Sequence, residues 1–190
     1  MVKDAALTKR RLLDAATHEF AVHGLAGARV DRIAASSGAS KVMIYTYFGN
    51  KEALFDAVFA AVVADVIESV PIDVMDLPGY AGRLFDLYMR KPEILRLATW
   101  HTLERGPTGS TPASAAANTD KVAAIRLAQR SGAITRRIEP AEVLALVLGL
   151  AALGLVEDAV DAAEPRAVAR RRKAITSSVQ LLVQPDGPRQ

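Results

Sequence analysis

Residues 33–55 read IAASSGASKVMIYTYFGNKEALF, and their order decides what this chain folds into. Ile33 and Ala34 supply the apolar face of a short helix. Ser37, Gly38 and Ala39 form a turn in which Gly38 can take the positive φ that a helix C-terminus favours. Ser40 is suited to cap the next helix and Asn50 the one after it. Two short helices joined by a three- or four-residue turn containing glycine are the sequence form of a DNA-binding helix-turn-helix.

The order IA, SG, SK, IYTYF and NKEAL resembles the N-terminal domain of the tetracycline-repressor family of bacterial transcription regulators. The likeness is dense from Thr8 to Phe59 and thins afterwards. Two positions depart from the family pattern: Val42 stands where glycine is common, and Arg29 where threonine is common. The resemblance implies an all-α protein of about nine helices. It also implies an N-terminal three-helix DNA-binding domain (1–50) and a C-terminal helical domain (51–190) for effector binding and dimerisation.

Outside the motif, strand signals are absent. A helix over 8–23 follows from Leu12 or Leu13, Ala16 and Phe20, with Gly24 as its stop. Further helices are expected over 51–70, 80–90, 92–104, 120–131, 140–160 and 165–182, with a loop over 106–118. The helix over 51–70 follows the motif without a flexible linker. The segment from 140 is apolar almost all the way round and needs cover on every side. Gly149 and Gly154 would let another helix approach it, and the last helix sets Val168, Ile175, Val179 and Leu182 against the basic run 170–173. Together they read as half of a four-helix dimer interface.

Half of the chain is apolar, enough for a real core. No cysteine is present, which excludes disulfides and thiolate zinc sites. No apolar signal core opens the sequence, and the apolar run 143–156 is shorter than the ~20 residues a membrane helix needs, so a cytoplasmic protein is expected. The net charge of +3 is modest, but Arg29, Arg32, Lys41 and Lys51 against Asp31 concentrate the same excess around the motif. Such clustering beside the motif suits phosphate binding, although without the motif an ordinary solvated face would be the preferred reading.

A 100° step per residue puts Ile44 and Phe48 toward the core, and Val42, Met43 and Thr46 toward the groove. Methyl-bearing side chains can read thymine, whereas guanine needs Arg or Lys, which leaves Lys41 and Arg29. Ser40, Tyr45, Tyr47 and Lys51 can reach phosphate; the resemblance implies that role for the last three. Arg32 is left as a surface residue. Effector-site candidates are Tyr88, Met89, Leu95, Ala98, Trp100, His101, Leu103 and Glu104, an apolar set with a few polar handles. His18, His23 and His101 lack metal-ligand spacing, and no phosphate loop or nucleophile elbow occurs. No catalytic residue, metal or cofactor is therefore expected. A helical adaptor that kept the motif without binding DNA is the remaining alternative, against which Tyr47 and Lys51 argue.

Overall fold

The computed structural model describes residues 2–106, 112–155 and 164–186. Among them are nine α-helices, one 3-10 turn and no strand. They are α1 (Val2–Gly27), α2 (Val30–Ser37), α3 (Lys41–Phe48), α4 (Lys51–Ser69), α5 (Leu77–Arg90), α6 (Glu93–Arg105), α7 (Pro112–Arg130), α8 (Pro140–Ala151), the 3-10 turn Ala152–Leu155, and α9 (Pro165–Val183). The chain forms two compact units: one of Met1–Asp65 and Glu93–Ser114, the other of Val66–Pro92 and Ala115–Gln190.

In the first unit the apolar stripe of α1 (Leu12, Ala16, Phe20) is fully buried with Ile33 of α2, Ile44 of α3, Leu54, Phe55 and Val58 of α4, and Leu97 of α6. Phe20 meets Phe55 edge-on at 5.1 Å between ring centroids. The helical φ/ψ of α1 break at Gly24 (φ 64°, ψ −176°), as its glycine suggests, and one further turn follows. The unit takes in α4 as far as Asp65 and resumes at Glu93. α6 lies along α1, and its Arg105 forks onto Asp56 of α4 with two 3.0 Å hydrogen bonds.

In the second unit α5 is the centre, with α8 and α9 packed on it. Leu77, Tyr80, Leu84 and Phe85 of α5 are buried, as are Val143 and Val147 of α8 and Ile175 and Val179 of α9. Gly82 permits the close passage of α9, since a Cβ there would lie 3.0–3.2 Å from Arg172 and Thr176. Arg172 Nε in turn donates to both carboxylate oxygens of Asp86 at 2.9 Å.

Two expected elements differ. The loop over 106–118 gives way to helix from Pro112: proline suits a first helical turn, and the alanines that follow have the highest helix propensity. The helix from Pro140 ends at Ala151 and tightens into the 3-10 turn that contains Gly154. Residues 156–160 of the expected helix lie outside the described residues.

Candidate nucleic-acid interface

The turn between α2 and α3 is built as its sequence requires. Gly38 closes α2 at φ 70°, and the Ser40 hydroxyl accepts from the Met43 amide at 3.1 Å to cap α3. Ile44, 1% exposed, anchors α3, and Phe48 is half-buried beneath it. The remaining face of α3 is open: Val42 is 76% exposed, and Met43, Tyr45, Thr46 and Tyr47 are also exposed. The Thr46 hydroxyl donates back to the Val42 carbonyl at 2.9 Å, which leaves its methyl group as its outward chemistry.

The basic residues differ in how they are held. Lys41 Nζ lies 2.9 Å from Asp31 Oδ1, an exposed pair. Arg29 is exposed, and its backbone amide donates to Glu19 at 2.8 Å. Lys51, at the start of α4, turns its ammonium to the carbonyls of Ala28 (3.3 Å) and Ala26 (3.4 Å). Two of its three protons are thereby directed to the turn before α2, and the third remains for another acceptor.

Arg32 is more than a surface residue. Its Nε donates to both oxygens of Glu19, at 2.8 and 3.0 Å, and a terminal nitrogen donates to the Gly27 carbonyl at 3.1 Å. Burial works to raise the Glu19 pKa, yet the hydrogen bonds from Arg32 and the Arg29 amide, with the charges of Arg32 and His23, hold it below the usual carboxylate value. The sequence carried a signal for this clamp. Glu19 stands three residues after Ala16 on the buried stripe of α1, where a carboxylate needs a partner.

The effector candidates divide between the two units. Tyr88 and Met89, half-buried on α5, belong to the second unit, whereas Leu95, Ala98, Trp100, His101, Leu103 and Glu104, on α6, belong to the first. Leu95 is buried, and Trp100 packs on the first unit's core. His101 stacks on Phe59 at 3.7 Å and Phe55 at 5.9 Å, and burial lowers its pKa. Leu103, 71% exposed, and Glu104, also exposed, project to solvent. The sequence grouped these residues by helix, whereas their packing partners lie tens of residues away along the chain.

A capped helix pair with one open face on a buried anchor is a DNA-binding helix-turn-helix in form. Residues 12–58 match the model for bacterial regulatory proteins of the tetR family, and residues 76–180 match that for the tetracyclin repressor-like C-terminal domain. The chain belongs to the tetR family and is a DNA-binding transcriptional regulator. It is 43% identical over 152 residues to the HTH-type transcriptional repressor SCO4008 of Streptomyces coelicolor, which spans 78% of this chain and 79% of that protein. The solved structure of SCO4942, also from Streptomyces coelicolor, superposes with a TM-score of 0.78 at 38% identity, covering 94% of this chain and 99% of that one. AibR, solved in complex with isovaleryl coenzyme A and operator DNA, shares the fold at a TM-score of 0.67 and 20% identity, covering 94% and 100% of the two chains. Among the described residues no helix is long and apolar enough to cross a membrane.

Proposed function

We propose that this protein is a cytoplasmic homodimeric repressor that holds a near-palindromic operator through α3 of each subunit and releases it when a small, largely apolar effector binds. The observation that carries this reading is the open face of α3 on its Ile44 anchor. Val42, Met43 and the Thr46 methyl group suit thymine methyls, Lys41 or Arg29 can supply a base-directed hydrogen bond, and Ser40, Tyr45, Tyr47 and Lys51 reach phosphate. The name of the 43% identical relative supports repression. Regulation rather than catalysis is the role that the family supports.

Dimerisation rests on the outer faces of α8 and α9. Beyond the buried stripe of α8, Leu146 stays 43% exposed, Leu153 in the 3-10 turn that follows is 42% exposed, and on α9 Leu181 is 73% exposed. A two-fold dimer covers such stripes and sets its reading helices about one DNA turn, ~34 Å, or a multiple apart. The effector acts by binding one conformation better than the other; a coupling of ~1–3 kcal/mol weakens operator binding several-fold to about a hundredfold. Footprinting on fragments selected from the host genome, with light scattering of the free protein, tests the reading. Two protected half-sites related by two-fold symmetry and twice the chain mass are expected; a monomer bound to one half-site would refute it.

A further inference from the structure

Helix α7 carries a residue that its packing does not explain. Lys121, Ile125 and Ala128 fall at i, i+4 and i+7, on one face of the helix. Ile125 is 0% exposed and Ala128 5%, so Lys121 occupies a position where the pattern asks for an apolar side chain. It is half-buried, and its ammonium lies 5.9 Å from the ring centroid of Tyr80 on α5, in the same unit. No carboxylate of a described residue pairs with it. Burial lowers its pKa, the signature of a cation drawn out of water without a compensating anion.

The neighbouring phenols share this character. Tyr80 is 1% exposed and Tyr88, two turns on, is half-buried. Neither hydroxyl bonds to a described residue, yet neither is sealed from solvent. Burial, then the proximity of Tyr88, pushes the Tyr80 phenol up to about 12 against the opposing charge of Arg83. Burial likewise raises the Tyr88 phenol. Both therefore remain proton donors throughout the physiological range. A half-buried cation costs stability unless something pays it back, and a chain that places one on an apolar stripe departs from its own packing rule at a position suited to function.

We infer that Lys121 and the hydroxyls of Tyr80 and Tyr88 are the head-group site of the effector, which is an amphiphile with an apolar body and one anionic group, a carboxylate or a phosphate. The inference rests on the effector-responsive reading above and sharpens it: the charge on the ligand, rather than its apolar bulk alone, selects it. The anion restores to Lys121 the partner that the protein withholds, and the aromatic rings accept the first carbons of the body.

The test uses the full-length protein with octanoate, octyl phosphate, octanamide and octyltrimethylammonium, titrated by calorimetry. Octanoate, octyl phosphate or both should bind at least ten-fold more tightly than octanamide, with octyltrimethylammonium weaker still; which anion leads identifies the source. Lys121→Met should retain the helical circular dichroism, melt no lower than the parent without ligand, and bind the preferred anion no better than octanamide. Tyr80→Phe, which keeps the ring, should weaken the anion several-fold. Binding of octanamide as tight as that of either anion, absence of binding by both anions at millimolar concentration, or unchanged anion affinity in Lys121→Met would each overturn the inference. A gel shift separates this outcome from the repressor reading. If the preferred anion binds through Lys121 yet leaves the protein–DNA complex intact, the site stands and effector-driven release fails.

Discussion

Gly24 and Trp100 share one van der Waals surface: a Cβ on Gly24 would lie 2.8 Å from the Trp100 ring carbon Cε3. The glycine also takes φ 64°, so two independent constraints exclude a side chain at the break in α1. The indole is thereby held in place within the first unit, and its fluorescence reports the seating of α6 on α1.

Gly24→Ala should accordingly destabilise the protein. With φ 64° and ψ −176° the backbone lies in a region open almost only to glycine, which costs an alanine about 1–3 kcal/mol, and relieving the contact with the indole adds about 1–3 kcal/mol. Thermal unfolding followed by circular dichroism should show a clear fall in melting temperature, together with a change in Trp100 emission before unfolding. A melting temperature within a degree of the parent would show that neither the backbone at this position nor the indole resists a side chain.

The Glu19–Arg32 clamp makes stability depend on acid. Because the folded Glu19 pKa lies below its unfolded value, its contribution is fully present above the unfolded pKa and is lost as pH falls through the folded one. Glu19→Gln should cost about 1–2 kcal/mol near neutrality, since the Arg29 amide and Arg32 keep only a neutral acceptor. The difference between parent and variant should shrink as the solution is taken below the unfolded pKa. A constant difference across that window would mean that packing, not charge, sets the loss.

Lys51 has two acceptors in the protein and one proton left over. Lys51→Ala should weaken binding to all DNA sequences about equally and lower the salt slope by roughly one unit, as loss of a phosphate contact does. Met43→Ala should instead change preference at one or two base pairs and leave the salt slope alone. Parallel behaviour of the two variants in fluorescence anisotropy across a salt series would show that the face of α3 is wrongly assigned.

How much of this was legible in the sequence depends on distance along the chain. The glycine turn and the Ser40 cap are local, and Gly38 and Ser40 announce them within a few residues of where they act. The anchor Ile44 follows from helical periodicity. Arg105 and Asp56 are 49 residues apart, and nothing in either segment alone shows that α6 packs with α1 and α4. Trp100 and His101 therefore read in the sequence as an aromatic wall with a polar handle, a description that suits a ligand wall and a packed core equally. Lys121 was legible in principle: the pattern Lys121, Ile125, Ala128 shows a cation on an inward stripe, but only a burial value distinguishes a half-buried lysine from one at the edge of a solvated face.

Gly149 separates dimerisation through α8 from mere exposure. It lies on the outer face of the helix, and a Cβ built there meets no atom within 4 Å. Nothing in the described part of the chain thus requires glycine at this position, and glycine inside a helix costs about 1 kcal/mol relative to a good helix former. If the face is solvated, Gly149→Leu should leave the mass unchanged and raise the melting temperature slightly through propensity alone. If two copies of α8 approach each other there, the leucine holds them apart. Light scattering should then show a concentration-dependent shift toward the chain mass, and operator affinity should fall because the two reading helices lose their fixed spacing. Leu146→Arg, on the same exposed stripe one turn earlier, should act in the same direction by burying an unpaired charge in the interface. A protein that remains dimeric with both substitutions, at the lowest concentration at which the parent is dimeric, would place the subunit contact elsewhere.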